Sequence, residues 1–185
     1  MDEKQKQEEK MEIRKASGRD LRWMKKTYIE AFPRSERKSF RLMKGKAKQG
    51  VMEFLIILEK HQPVGIAITV LHQDLVLLDY FAIHRSCRGK GYGSKALELL
   101  RERYEDRRFL LEIELPKEDV PNQAKRLKRK EFYLRNGMQE TGIKACVFQV
   151  PMEVLTDGRP FTYEEYHGIY RDSIGTVFAR KVTRL

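Results

Sequence analysis

Cysteine is nearly absent from this chain: Cys87 and Cys146 are the only two in 185 residues. They form neither a CxxC pair nor a metal-ligand spacing, so two reduced thiols in a cytosolic protein is the reading that remains. Long apolar runs are missing too. Nothing approaches the roughly 18 residues of a membrane span, and no membrane partner is expected. The opening MDEKQKQEEK carries charge where a signal peptide has its apolar core, so a cytoplasmic chain is expected, with residues 1–10 a disordered charged tail. Acidic residues are outnumbered, 27 against 38 basic, for a net charge of +11. The basic stretches RSERKSFRLMKGKAKQG and KRLKRKEFYLR come without zinc-finger spacing, an RNP-type aromatic motif or a basic zipper. A nucleic-acid partner is therefore disfavoured, and a polyanionic small molecule accounts for part of the excess equally well.

What is present suits one soluble domain over residues 11–185: 41% of residues are apolar and 35% charged. MEIRKAS reads as a short strand. Leu21, Met24 and Tyr28 then share one face of a helix that Asp20 would cap, and a second, basic helix is expected from Ser35 to Gly50. VMEFLIILEK and PVGIAITVLH, separated by HQ, predict a hairpin, followed by a third strand, LVLLDYFAIH. After a glycine-rich stretch, Ala96, Leu97, Leu100 and Tyr104 line a helix, and RRFLLEIELP is the next strand. Strand, helix and strand on short connections predict a right-handed βαβ unit with parallel strands. A helix stopped by Asn136-Gly137, a pair of strands and a terminal helix capped by Thr162 complete the chain, the last two being the elements available for a homodimer.

The glycine stretch RGKGYG fits neither common nucleotide motif. A dinucleotide fingerprint has Gly89 and Gly91 in place but meets Ser94 at its third glycine, and a P-loop would need Lys before Ser. The physics of an anion site nevertheless remains. Glycines let successive amides point inward, the following helix adds partial positive charge, and Arg88 and Lys90 strengthen the field.

The wider pattern resembles the GNAT superfamily of N-acetyltransferases. Arg-x-x-Gly-x-Gly at Arg88, Gly91 and Gly93 follows a strand ending DYFAIH and precedes an amphipathic helix. FYLRNGM is similar to the family's second signature, with Tyr133 and Gly137 in its tyrosine and glycine positions. The resemblance implies an α/β chain of the mixed α+β kind. Its central mixed, mostly antiparallel sheet would be flanked by helices, with a parallel βαβ unit carrying the coenzyme loop. It implies acetyl-CoA as acyl-donor cosubstrate, no metal, and a small-molecule or peptide amine as acceptor. Residues 89–94 (Gly89, Lys90, Gly91, Tyr92, Gly93, Ser94) would take the pyrophosphate, helped by Arg88 and by Arg126, which stands where the family often has Asn. Phe81, Ala82 and Ile83 would hold the pantetheine arm and polarise the thioester. Tyr133 would protonate the leaving thiolate.

A lysine-like amine, with a pKa of about 10.4, is neutral in only about one molecule in a few thousand at pH 7. A carboxylate base would help. Asp79 stands inside an apolar strand, where an unpaired acid is costly, and alternation sets it on one face with Phe81 and Ile83. Glu112 and Glu114 share a face of the next strand, and Glu36 lies between the early helices. Were these acids to converge, a cationic acceptor would be favoured. Two other readings stand beside acetyl transfer: a silent acyl-CoA-binding regulatory module, and a basic nucleic-acid-associated protein.

Overall fold

A computed structural model of the chain describes residues 11–116 and 122–185; the expected tail lies outside them. The strands are β1 (Glu12–Lys15), β2 (Met52–Glu59), β3 (Gln62–His72), β4 (Leu75–Ile83), β5 (Arg108–Glu114), β6 (Gln139–Val147), β7 (Val150–Thr156) and β8 (Val182–Arg184). The helices are α1 (Asp20–Ala31), α2 (Phe40–Lys48), α3 (Tyr92–Arg103), α4 (Gln123–Arg135), α5 (Tyr163–Gly168) and α6 (Thr176–Ala179). The strands hydrogen-bond in the order β1-β2-β3-β4-β5-β7-β6-β8. β4 and β5 are parallel, whereas β1–β2, β5–β7, β6–β7 and β6–β8 are antiparallel. This is the mixed α/β class that the sequence pointed to, with β4–α3–β5 as its parallel crossover.

The chain divides into two compact units. The first comprises residues up to Thr69 together with Asp79–Arg103. Leu55, Ile56 and Ile57 of β2 are fully buried in succession, as in a strand covered on both faces. β2 turns into β3 through Lys60 and His61, both at positive φ (48° and 63°), the twist-matched hairpin turn. The turn thus sits one residue earlier than HQ suggested, with Gln62 drawn into β3. Asp20 does not cap α1 but is its first residue. Its carboxylate accepts from Ser17 and from the Arg14 guanidinium, which holds it far below the usual carboxylate range. The second helix also starts later than expected. Residues Arg34–Glu36 form a single 3-10 turn, and α2 begins only at Phe40, capped by the Ser39 hydroxyl. The reason is tertiary: the Tyr80 hydroxyl donates to Glu36 C=O (2.8 Å) and accepts from Lys38 N–H (3.0 Å). Those backbone groups have partners outside a helix.

The second unit comprises Val70–Leu78 and Tyr104–Leu185. Its parallel ladder pairs Leu75 to Leu78 with Arg108 to Leu111. α4 packs on β5 and β6. It ends as Asn136-Gly137 predicted: Gly137 takes φ +82°, and Met138 N–H bonds to Tyr133 C=O (3.1 Å). The Thr162 cap is present too, reciprocated by Glu165 as a capping box. The expected single terminal helix changes pitch, however. After Gly168 it widens into a π-helical segment, Ile169–Ile174, followed by α6 and β8, which pairs with β6. β8 spans only Val182–Arg184, too short for its alternation to be read in sequence.

Candidate functional site

β4 runs past its parallel ladder, which ends at Leu78↔Leu111, as far as Ile83. In the first unit, Phe81 and Ile83 pack against Met11, Ile57, Val64 and Ala96, and Ala82 is buried. Gly65 on β3 makes that approach possible, since a Cβ there would meet Ala82 O and the Ile83 side chain at 2.8 Å. His84 N–H closes the strand on Val64 C=O (2.8 Å). The chain then makes a 3-10 turn, Arg85–Cys87, and enters the glycine stretch. Gly89 and Gly91 lie at φ +77° and +78°, a left-handed backbone that side chains rarely adopt, with open space where a Cβ would point.

The first hydrogen bond of α3 runs from Lys95 N–H to Gly91 C=O (3.2 Å). The amides of Tyr92, Gly93 and Ser94 therefore have no helical acceptor, and the positive end of the helix lies with them. Arg88 and Lys90 are exposed, and Arg88 Nε donates to Ile83 C=O (3.0 Å), tying the loop to the strand end. Unbonded amides, left-handed glycines and two exposed cations fit a phosphate-bearing group. His84 is a packing residue here, bonded to Ser86 (2.8 Å), 3.6 Å from Glu30 and set against the Trp23 ring.

Asp79 has a partner the sequence did not reveal. Lys38 Nζ stands 2.5 Å from Asp79 Oδ1, with side-chain exposures of 10% and 3%, and Asp79 Oδ2 is buried without a hydrogen bond among the described residues. Around this pair, Tyr28 donates to Lys38 C=O (3.0 Å), and the Lys38 ammonium lies 5.3 Å from the centre of the Tyr80 ring. Tyr28, Phe32 and Tyr80 pack edge-on or tilted against one another, and Phe40 closes on Tyr28 and Phe54. Burial, then the charge of Asp79, holds the Tyr80 phenol far above the ordinary tyrosine range, while burial pushes Tyr28 up to about 12.

In the second unit, Glu112 accepts from Tyr166 (2.5 Å) and Tyr170 (2.7 Å), one helical turn apart. Glu114, on the same face of β5, pairs with Arg126 (2.8 Å) and Arg129 (3.1 Å) of α4. Arg126 also donates to Leu115 C=O (2.9 Å), and its Nε is buried without a hydrogen bond among the described residues. Tyr133 is buried at 8% exposure, and burial pushes its phenol up to about 12. Among the described residues no cluster of His, Cys, Asp and Glu suits a metal ion.

Sequence reasoning singled out the loop, the strand end and the ionisable candidates Asp79, Glu112, Glu114 and Tyr133. It missed Lys38, Tyr80, Tyr166 and Tyr170. A pair separated by 41 positions, such as Lys38 and Asp79, leaves no local signal.

A mixed sheet whose parallel crossover carries a strand, a left-handed glycine turn and an open helix N-terminus makes a site for a phosphate-bearing ligand. More narrowly, the family model described as acetyltransferase (GNAT) family matches residues 19–138, and the chain belongs to that family. No curated protein sequence matches it. Among solved structures, a GNAT-family acetyltransferase from Bacteroides thetaiotaomicron superposes with a TM-score of 0.71 at 22% identity, covering 91% of this chain and 98% of that one. The ribosomal-protein-S18-alanine N-acetyltransferase from Escherichia coli gives 0.59 at 16% identity, over 83% of this chain and 98% of that one. An acetyltransferase from Salmonella typhimurium, solved with its cofactor acetyl-CoA, gives 0.56 at 19% identity, over 79% and 92%. These likenesses establish the fold.

Proposed function

We propose that the chain transfers the acetyl group of acetyl-CoA to a primary amine by direct attack, and that the α-amino group of a polypeptide is its acceptor. The observation that carries this is the loop at the end of β4 in a chain of the GNAT family, with Gly89 and Gly91 left-handed and the amides of Tyr92, Gly93 and Ser94 without helical acceptors. Those amides, with Arg88 and Lys90, would receive the pyrophosphate of the coenzyme. The backbone of Phe81, Ala82 and Ile83 would hold the pantetheine arm.

In the reaction the neutral amine adds to the thioester carbonyl, the C–S bond breaks, and the amine's extra proton is lost. The choice of acceptor follows from the carboxylates. Glu112 is bonded by two phenols, Glu114 by two guanidiniums and Asp79 by Lys38, while Asp79 Oδ2 is buried with no hydrogen bond among the described residues. Asp79 is therefore the proposed base, but a buried one. Deprotonating a lysine-like amine at pH 7 costs about 4–5 kcal/mol, whereas an α-amine of pKa about 7.7–8.0 needs only about 1 kcal/mol. A site with so little basic capacity suits the α-amine. The E. coli neighbour, named for acetylating the alanine of a ribosomal protein, supports the same direction.

Tyr133 is the proposed donor to the leaving sulfur. With its phenol near 12 and a thiol near the ordinary 8.5, full proton transfer would be uphill by about 3.5 units, or about 5 kcal/mol. Tyr133 would accordingly act as a hydrogen-bond donor to the thiolate rather than as a complete acid. The test is thiol release from acetyl-CoA with short peptides bearing an unblocked N-terminus, against the same peptides with a blocked N-terminus and one internal lysine. Turnover with the first set alone is expected. Coenzyme binding without turnover on either set would point to a silent module.

A further inference from the structure

We infer that the acceptor polypeptide is acidic just beyond its amine, and that the cationic stripe of α2 selects it; this rests on the acetyl-transfer reading above. Residues 37–52 contain no Asp or Glu, but they hold Arg37, Lys38, Arg41, Lys44, Lys46 and Lys48. Lys38 is used internally by Asp79. Arg41, Lys44 and Lys48 are exposed, follow one another at i, i+3 and i+7, and form no ion pair among the described residues. Several cations elsewhere in the chain have acidic partners: Arg14 has Asp20, Lys95 has Glu98, and Arg108 has Asp74 and Glu165.

The stripe is also fixed in place. The segment leading into α2 is clamped to β4 by Tyr80, which bonds Glu36 C=O and Lys38 N–H, and by the Lys38–Asp79 pair. The segment that leads into the stripe is therefore anchored at Asp79, the proposed base. From Arg41 to Lys48 the helix advances roughly 10 Å, a length that three extended residues span. That geometry matches a short run of acidic side chains following the amine. Asp79, one of the acids considered for a cationic acceptor, is answered in this unit by Lys38. An acidic polypeptide fits better than nucleic acid. The aromatic residue of the stripe, Phe40, is turned inward against Tyr28 and Phe54, which leaves no ring there for a base to stack on.

The experiment uses the full chain with fluorescent peptides sharing their first two residues, followed by three Glu, three Gln or three Lys. Binding and acetylation are measured separately at 50 mM and 500 mM salt. The Glu peptide is expected to bind about tenfold more tightly than the Gln peptide at low salt, with the preference collapsing at high salt. In the Arg41→Glu/Lys44→Glu/Lys48→Glu variant, and in its Gln counterpart, the preference should disappear while the coenzyme-induced rise in Tm persists as a check of folding. Equal binding of the three peptides, or an unchanged preference in the variants, overturns the inference. Tighter, salt-dependent binding of a single-stranded RNA through the same residues overturns it in favour of nucleic acid. Selective binding of the Glu peptide with no acetylation of any peptide upholds the surface and sinks the acetyl-transfer reading.

Discussion

Removing Lys38 should damage this protein far more than removing an ordinary surface lysine. At 2.5 Å from Asp79, with side-chain exposures of 10% and 3%, the pair lies in the poorly solvated interior of the first unit. At an effective dielectric near 20, two unit charges this close attract by several kcal/mol. Desolvating both ions costs a similar amount, so the net worth of the intact pair is small. The asymmetry appears when one partner goes. Lys38→Met leaves the Asp79 carboxylate buried beside the Tyr80 ring, at a cost of about 3–5 kcal/mol. Asp79→Asn leaves the ammonium, which can swing partly into water, and should cost less. The double variant should recover much of the loss, giving a coupling of at least about 2 kcal/mol. Urea unfolding reads these values directly. In thermal melts the single Lys38→Met variant should lose roughly 6–20 °C, at about 2–4 °C per kcal/mol for a chain of this size. A cost below about 1 kcal/mol, or additive single variants, would show that the pair behaves as a solvated surface contact, and the account of the clamp would fall with it.

Coenzyme A at about 100 times its Kd should stabilise the chain by about 2.7 kcal/mol, a rise of roughly 5–10 °C in Tm; Gly91→Val, forced from φ +78°, should abolish most of the rise, and a full rise in that variant would remove the loop from the site. Tyr133→Phe should lower kcat about a hundredfold with the coenzyme-induced rise unchanged, and unaltered turnover would strike out the assignment. Because Tyr28 and Tyr133 are both pushed up to about 12 by burial, they stay protonated in the folded chain while their unfolded counterparts ionise near 10. Stability should therefore hold below pH 10 and decline as pH climbs towards 12; a urea midpoint that stays flat across that window would contradict the burial of both phenols.

The local elements were legible from the chain because their signals are local. Glycines beside an amphipathic run mark a strand-to-helix turn whatever surrounds them, and Thr162 with Glu165 or Asn136 with Gly137 cap helices through bonds spanning only a few residues. Element boundaries slipped where distant groups claimed backbone bonds: Tyr80 held Glu36 and Lys38 out of a helix that the basic run suggested would start at Ser35. The same is true of the site. The glycine spacing by itself marks Gly89, Gly91 and the start of α3 as the place proposed for an anion. What each carboxylate does was decided only by the fold, because a charge in a poorly solvated interior takes its character from the cation or hydrogen-bond donor nearest to it. For Asp79, Glu112 and Glu114 those neighbours lie 41, 54 and 12 or more residues away in sequence.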